Sequence, residues 1–455
     1  MEANNELRIP KKEKFSFGVY FVGQLILYGI VASYLSLFMT ESGIAPFVIS
    51  AVLLVAKVWD AINDPLFAVL IDKKQLLKHK YSSWVRLSTY LIPLTTIFIF
   101  LMPGSLNNTV KVIWVLVGYV LWDTAYTMCD VPIHALATCM TDNVGERDSL
   151  FVRKTVFGYI GVLIALFIPM LYPRIGWGAT GIVMSVIAIA TMLPISYLGK
   201  ERYVSFPEKE PSLKEMLQYI AKNKPLLIFN LASIVACITA TGSTAGNYVA
   251  IYLLGSEDYI TYTALLTVIP TFLAVLLTKI LLKKIDKFYI YIGSVASNVL
   301  CSVILFFVGY QNLVSYLGIL MIKSLLGGCS SVVAAMFIAD CAEYGHFLTG
   351  HRNQGIAFST QTFTAKFTGA ISTSVGMFIL GLIGFQSGSG AVQSASTLRG
   401  LWYMYTLIPC ISLVAAIVLL VFGYKLRSKD AQIMAKANAG EITREEAEAA
   451  IYGAK

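Results

Sequence analysis

Long apolar stretches recur along the whole chain, and each could cross about 30 Å of hydrocarbon as an α-helix. Short segments rich in Lys, Arg, Asn and Gly separate them. The pattern predicts an all-α membrane protein with twelve transmembrane helices. These lie at residues 15–39, 44–71, 86–103, 111–138, 152–172, 178–198, 225–254, 260–283, 288–309, 313–339, 354–385 and 400–424.

The longest polar interruption divides these helices into two groups of six. We therefore predict an N-terminal half at 1–199, a central cytoplasmic linker at 200–224, a C-terminal half at 225–425 and a cytoplasmic tail at 426–455. Two six-helix halves favour the major facilitator fold, in which substrate sites lie near the membrane midplane between the halves.

The basic residues lie almost entirely on one side of the predicted helices. With a cytoplasmic N-terminus, 29 of the 35 Lys and Arg residues fall in cytoplasmic segments, and only Lys111, Arg174 and Arg399 fall in the opposite loops. Cytoplasmic loops of membrane proteins are enriched in Lys and Arg. Both termini are therefore predicted to be cytoplasmic.

Composition changes the picture little, but it excludes other classes of protein. The chain is 57% hydrophobic and 13% charged, which no soluble domain matches. Its net charge of +9 follows from short loop clusters, so we expect no nucleic-acid partner. The seven cysteines show no paired spacing and predict packing rather than disulfides. In the tail, Thr443 and Glu446 have the spacing of a capping box.

Charged residues interrupt the second apolar stretch. Lys57, Asp60 and Asp64 are spaced i, i+3 and i+7 and therefore share one helix face. Carboxylates at membrane depth are unfavourable unless a cation or a partner compensates them. With Asn63 as a further oxygen ligand, this face predicts a site for a monovalent cation, Na⁺ or H⁺. The alternative is a structural ion pair between Lys57 and Asp60.

The fourth stretch carries a second polar face, formed by Asp123, Tyr126, Thr127 and Asp130. We expect it to face the second helix, with Thr127 and Asp130 completing the cation site. The alternative for Tyr126 and Thr127 is ordinary interhelical hydrogen bonding. In the C-terminal half, Gln361 and Thr362 are candidate substrate ligands, as is Tyr126 of the fourth stretch. Lys366 follows shortly after Thr362, and a cross-half ion pair from Lys366 could act as a gate.

Four segments carry a resemblance to a known family. They read Lys57-Val-Trp-Asp-Ala-Ile-Asn-Asp-Pro65, Tyr126-Thr-Met-Cys-Asp-Val-Pro132, Ile338-Ala-Asp-Cys-Ala-Glu-Tyr-Gly345 and Gln361-Thr-Phe-Thr-Ala-Lys366. In these segments the chain resembles the glycoside-pentoside-hexuronide:cation symporters of the major facilitator superfamily, typified by melibiose permease.

The resemblance implies a role for several residues. Asp60 and Asp64 would bind the coupling cation, with Asn63 and Thr127 nearby, and Asp130 would contact both cation and sugar. Lys366 would lie close to the cation. We expect Lys366, Lys57 and Arg153 to couple cation transport to sugar transport or to gate the site.

The chain also departs from melibiose permease at its sugar site. An adjacent Lys-Asp pair of the first helix is replaced by Gln24-Leu25, and an aromatic residue four positions after the shared carboxylate is replaced by His134. Both Gln24 and His134 are therefore candidate substrate ligands for a sugar other than a galactoside.

Two further charges have no counterpart in the resemblance. Asp123 and Lys323 lie roughly midway along their predicted helices and could line the substrate cavity, where a lysine would favour a hexuronide. The alternative is that Asp123 and Lys323 pair with each other.

These features predict a cation-coupled sugar or glycoside symporter in a bacterial plasma membrane. We expect a monomer whose partners are the bilayer, a sugar, glycoside or hexuronide, and Na⁺ or H⁺, with Li⁺ as a further candidate. No cofactor and no metal site are expected. A proton-coupled exporter or another small-solute transporter on the same fold is the alternative. A membrane enzyme is the alternative from a different class of protein. It would need a nucleophile with a base, or a metal cage, at one membrane face, whereas the acidic residues here lie in the middle of predicted helices.

Overall fold

The computed structural model describes residues 9–73, 79–141, 143–203, 219–350 and 354–452. Helices account for nearly all of these residues, and the described ranges contain no β-strand. The chain divides into two compact units, Met1–Glu208 with Phe385–Val392, and Lys209–Gly384 with Gln393–Lys455. The exact limits of the halves, linker and tail stay a prediction.

The described residues of the first unit form seven helices. They are α1 (Lys11–Glu41), α2 (Pro46–Lys73), α3 (Ser82–Phe100), α4 (Asn108–Met140), α5 (Val144–Ala165), α6 (Ile168–Ile175) and α7 (Trp177–Leu198). Helix α1 packs against α5 and α7, while α4 packs against α2 and α3.

The second unit contains nine further helices and one 3₁₀ turn, Cys237–Thr239, among its described residues. They are α8 (Lys224–Ala236), α9 (Ala240–Tyr252), α10 (Asp258–Leu281), α11 (Lys287–Val308), α12 (Leu313–Thr349), α13 (Gln354–Leu382), α14 (Ala395–Gly423), α15 (Ser428–Asn438) and α16 (Arg444–Tyr452). Helix α12 packs against α10 and α11, and α14 packs against α8, α9 and α11.

Asparagine side chains begin several of these helices. The Oδ1 atoms of Asn107, Asn143, Asn223 and Asn312 accept hydrogen bonds from backbone N–H groups two or three residues later. Such capping satisfies N–H groups that have no partner within the helix. The polar residues between apolar stretches therefore also define where the helices begin.

Eleven helical segments of the described chain are long and apolar enough to cross a membrane. Helix α2 is not among them, and it is the helix that carries Lys57, Asp60 and Asp64. An all-helical membrane fold is therefore confirmed, while the count of twelve spans and the cytoplasmic position of the termini stay predictions.

Glycines bring α1 unusually close to its neighbours. A methyl group added at Gly161 on α5 would lie 2.4 Å from the carbonyl oxygen of Val22, and one added at Gly23 would lie 2.7 Å from the carbonyl oxygen of Ala188 on α7. Small residues allow helix backbones to approach in a membrane, where packing rather than the hydrophobic effect drives association. This approach fixes α1 beside α5.

An ion pair joins the start of α1 to the segment that follows α7. Glu13 accepts hydrogen bonds from the Arg202 guanidinium at 2.7 and 2.9 Å, and these bonds raise the pKa of Arg202.

In the tail, the Thr443 N–H donates to Glu446 at 2.8 Å and the Glu446 N–H donates to the Thr443 hydroxyl oxygen at 3.2 Å. The predicted capping box is therefore confirmed.

Candidate functional site

A buried amide joins α1 to α4 in the first unit. The Nε2 atom of Gln24 donates to Oδ1 of Asp130 at 2.9 Å, and Gln24 is only 2% exposed. Its Oε1 atom is buried and has no hydrogen-bond partner in the described part of the chain. A buried acceptor without a partner is unfavourable, so a donor supplied by a ligand would stabilise it.

Next to this pair, a histidine joins α4 to α5. His134 Nδ1 lies 2.7 Å from the carbonyl oxygen of Asp130, and its Nε2 contacts the Nζ atom of Lys154. A carbonyl oxygen can only accept, so Nδ1 carries the proton. A hydrogen-bonded chain therefore runs from the Asp130 backbone through His134 to Lys154 and joins α4 to α5.

These groups line a cavity of about 290 Å³ inside the first unit. Its walls come from α1, α4 and α5, and it offers one carboxylate, one ammonium, one imidazole and several aromatic rings. The lining residues are Phe21, Gln24, Leu25, Tyr126, Asp130, His134, Lys154, Thr155, Gly158, Tyr159 and Val162. Its size approaches that of small-molecule pockets, about 300 to 1,000 Å³.

An aromatic group forms one side of the cavity around Tyr126. The Tyr126 ring stacks on Trp122, with centroids 5.1 Å apart, and is tilted against Tyr28 at 5.5 Å. Because neighbouring rings hold it in place, Tyr126 presents a fixed apolar surface beside the polar groups of Asp130. Carbohydrate faces are apolar at their C–H groups, so such a surface suits a sugar ring.

A second polar cluster joins α2 to α4. The Nδ2 atom of Asn63 donates to the Thr127 hydroxyl at 2.8 Å and lies 3.4 Å from Oδ2 of Asp123. Asn63, Asp123 and Thr127 are each at most 5% exposed. Thr127 precedes Asp130 by three residues, so the cluster lies about one helical turn from the cavity.

Lys57 and Asp60 form an ion pair on α2, with Nζ 3.2 Å from Oδ2. Both side chains keep partial exposure, at 32% and 25%. This is the geometry of the structural alternative, and it leaves the cation role of Asp60 untested. The backbone of Asp64 lies in α2, but its side chain lies outside the described part of the chain.

The structure separates Asp123 from Asp130, although the sequence predicts both as substrate ligands. Asp130 lines the cavity, whereas Asp123 belongs to the Asn63–Thr127 cluster and is not among the lining residues. Lys323 lies on α12 in the second unit, where the thiols of Cys301 and Cys410 are its electrostatic neighbours. Whether Asp123 and Lys323 pair with each other stays a prediction.

Sequence reasoning missed the lysine that lines the cavity. Arg153, predicted to serve coupling, is not a lining residue, while Lys154 is. Consecutive helical residues point about 100° apart, and only Lys154 shares its face with Gly158 and Val162. That i, i+4, i+8 register was the available signal. In α13, Gln361 is partly buried, and the side chains of Thr362 and Lys366 lie outside the description.

Comparison with solved structures supports the fold. The nucleoside transporter NupG superposes with a TM-score of 0.66, covering 91% of this chain and all of that one at 13% identity. At this identity the likeness shows the architecture alone.

Sequence comparison identifies the family. The chain is 24% identical to the isoprimeverose transporter of Lactiplantibacillus pentosus, over 94% of this chain and 91% of that protein. It is 25% identical to the glucuronide carrier protein homolog of Escherichia coli (strain K12), over 87% and 88%. The family described as MFS/sugar transport protein matches residues 16–428. The chain thus belongs to this family and, within it, to the glycoside-pentoside-hexuronide:cation symporters, as a multi-pass transporter of the bacterial plasma membrane and not an enzyme.

Proposed function

We propose that this protein carries a sugar or glycoside into the cell together with Na⁺ or H⁺, by alternating access. One observation carries the proposal. A cavity inside the membrane-spanning first unit places the carboxylate of Asp130 among Gln24, His134 and Lys154. Ionisable side chains inside a membrane bundle mark substrate and ion pathways.

In the proposed complex, Asp130 accepts hydrogen bonds from sugar hydroxyls. A carboxylate oxygen binds a hydroxyl more strongly than a neutral acceptor does. The unpartnered Oε1 of Gln24 accepts from a further hydroxyl, and Tyr126 packs against the C–H face of the ring.

The proposed cation site is the polar cluster between α2 and α4. It combines the contacts among Asn63, Asp123 and Thr127 with the predicted ligands Asp60 and Asp64 of α2, and Asp130 lies at the boundary to the sugar cavity. Because Thr127 and Asp130 lie one turn apart on α4, a cation bound beside Thr127 would also stabilise the charge of Asp130. Cation and sugar would then raise each other's affinity by the same factor.

The charges in the cavity favour an acidic sugar as the substrate. Lys154 contacts Nε2 of His134 and interacts electrostatically with Asp130, and a substrate carboxylate would give its ammonium a charge-assisted bond. One monovalent cation would then balance the substrate charge. The glucuronide carrier homolog, a relative named for an acidic sugar, is consistent with this assignment.

The experiment is uptake of a panel of neutral glycosides and hexuronides into vesicles, with Na⁺, Li⁺ or a pH gradient imposed separately. We expect accumulation of an acidic glycoside that depends on one of these cations. Calorimetry on the wild-type protein should then show reciprocal tightening of sugar and cation. Equal sugar affinity with and without every cation would refute coupling, and outward-only transport would instead indicate the exporter alternative.

A further inference from the structure

A second cavity, of about 430 Å³, lies between α10 and α12 in the second unit. Its apolar wall includes Val275, Val332 and Met336, and two lysines, Lys279 and Lys283, complete it. Val275 is 49% exposed, so the cavity is a groove open at the surface rather than an enclosed void.

The groove has a clear origin in helix packing. At Gly328 of α12, an added methyl group would lie 2.7 Å from Cβ of Ala274 on α10, so the two helices cross tightly there. The larger side chains of Val275, next to Ala274, and Val332, one turn after Gly328, line the groove beyond this crossing. The groove therefore runs from this crossing towards the end of α10 at Leu281.

The position of the lysines places the groove at the membrane boundary. Helix α10 is a candidate membrane span, and Lys279 lies in its last turn. Lys283 follows by four residues, just beyond the end of α10. In a membrane spanned by α10, both ammonium groups would lie at the level of the lipid headgroups and Val275 about one turn deeper.

Neither lysine has a carboxylate partner in the part of the chain that the structure describes. Within the described residues, the ammonium groups of Lys279 and Lys283 make no ion pair and no side-chain hydrogen bond, whereas nearby Lys287 pairs with Asp340 at 2.5 Å. A general role in complementing the end of α10 would not require a groove. Two unpaired cations above an apolar slot match a phosphate joined to acyl chains.

We infer that this groove binds one anionic phospholipid, with its phosphate between Lys279 and Lys283 and an acyl chain along Val275, Val332 and Met336. The site is independent of the sugar cavity and of the transported substrate. Lipid bound there would tie α10 to α12 at the end where the helices separate.

The test is a titration of the full-length protein in detergent with dioleoyl phosphatidylglycerol, followed by native mass spectrometry. Each lysine near an anionic headgroup contributes to the free energy of lipid binding. We therefore expect Lys279→Gln or Lys283→Gln to weaken binding about fivefold, and the double variant to weaken it about 25-fold. Lys284→Gln is the matched control, because Lys284 lies in the same turn and outside the groove. Lys284→Gln should weaken binding less than either groove variant does, since Lys284 makes no direct contact with the headgroup.

A second variant separates the groove from surface charge. Val332→Trp keeps both lysines and fills the slot, and we expect it to lose saturable binding. The inference is overturned if Lys284→Gln matches the groove variants, if Val332→Trp binds like wild type, if dioleoyl phosphatidylcholine binds equally well, or if glycerol 1-phosphate displaces the lipid. Unchanged thermal unfolding of the lipid-free variants would confirm that each remains folded.

Discussion

Replacing Lys154 by Gln tests which chemical group of the substrate the cavity recognises. The side chain lies in the wall of the sugar cavity, where its ammonium contacts Nε2 of His134. Lys154→Gln removes the charge and keeps a donor of similar length. We therefore expect a selective loss of affinity for acidic glycosides.

The magnitude follows from the exchange of partners on binding. A hydrogen bond between charged groups contributes about 1.5 to 3 kcal/mol, but Lys154 must first give up its bond to the imidazole. The net loss for a hexuronide is then about 1 to 2 kcal/mol, or roughly 5- to 30-fold in Kd. For the corresponding neutral glycoside the change should stay below about twofold, since no charge pair is lost.

The assay is a competition series in which a methyl hexuronide and the matching methyl glycoside displace a labelled substrate from wild type and variants. Arg153→Gln provides the control, because it removes the same charge from the adjacent residue, which does not line the cavity. The reasoning is refuted if both sugars lose affinity equally with Lys154→Gln, or if Arg153→Gln reproduces the hexuronide loss.

Three further predictions concern the cation cluster, the packing of α1 and the tail. Asn63→Ala leaves a buried hydroxyl and a buried carboxylate on α4 without their amide donor, so it should lower the free energy of unfolding by about 1 to 3 kcal/mol and weaken cation binding. Thermal unfolding and a cation titration measure the two effects. Gly161→Ala places a methyl group against the backbone of α1 and should destabilise by about 1 to 3 kcal/mol and weaken sugar binding. Gly293→Ala is its control, since a methyl group there has no neighbour within 4 Å. Hydrogen bonds from Thr443 lower the pKa of Glu446. The capped helix is therefore stabilised above the unfolded-state pKa of about 4.3 and should lose that contribution as pH falls through the folded value, as amide exchange in the tail would show.

Each of these expectations has a clear contrary result. Unchanged cation affinity in Asn63→Ala would remove Asn63 from the ion site even if stability fell. Equal effects of Gly161→Ala and Gly293→Ala would show that close helix approach is unimportant. A tail whose exchange has the same pH dependence in Glu446→Gln as in wild type would exclude the carboxylate as the cause.

Apolar length determined most of the fold directly from the sequence, because a membrane admits a spanning segment only as a helix whose backbone bonds are internal. The charged face of Lys57, Asp60 and Asp64 was visible for the same reason, since charges are rare in such segments. The i, i+3, i+4 spacing likewise placed Thr127 and Asp130 on one side of α4. Family membership followed from these residues together.

Tertiary structure alone decided which polar residues share a cavity. Sequence spacing relates residues on one helix, but the contacts of Gln24 with Asp130 and of His134 with Lys154 join different helices. Their distances depend on how closely α1, α4 and α5 approach, which is set by packing at positions such as Gly161. Adjacent residues can also diverge, because a helix turns about 100° per residue. For that reason Lys154 lines the cavity and Arg153 does not, and Asp123 lies with Asn63 rather than beside the sugar site.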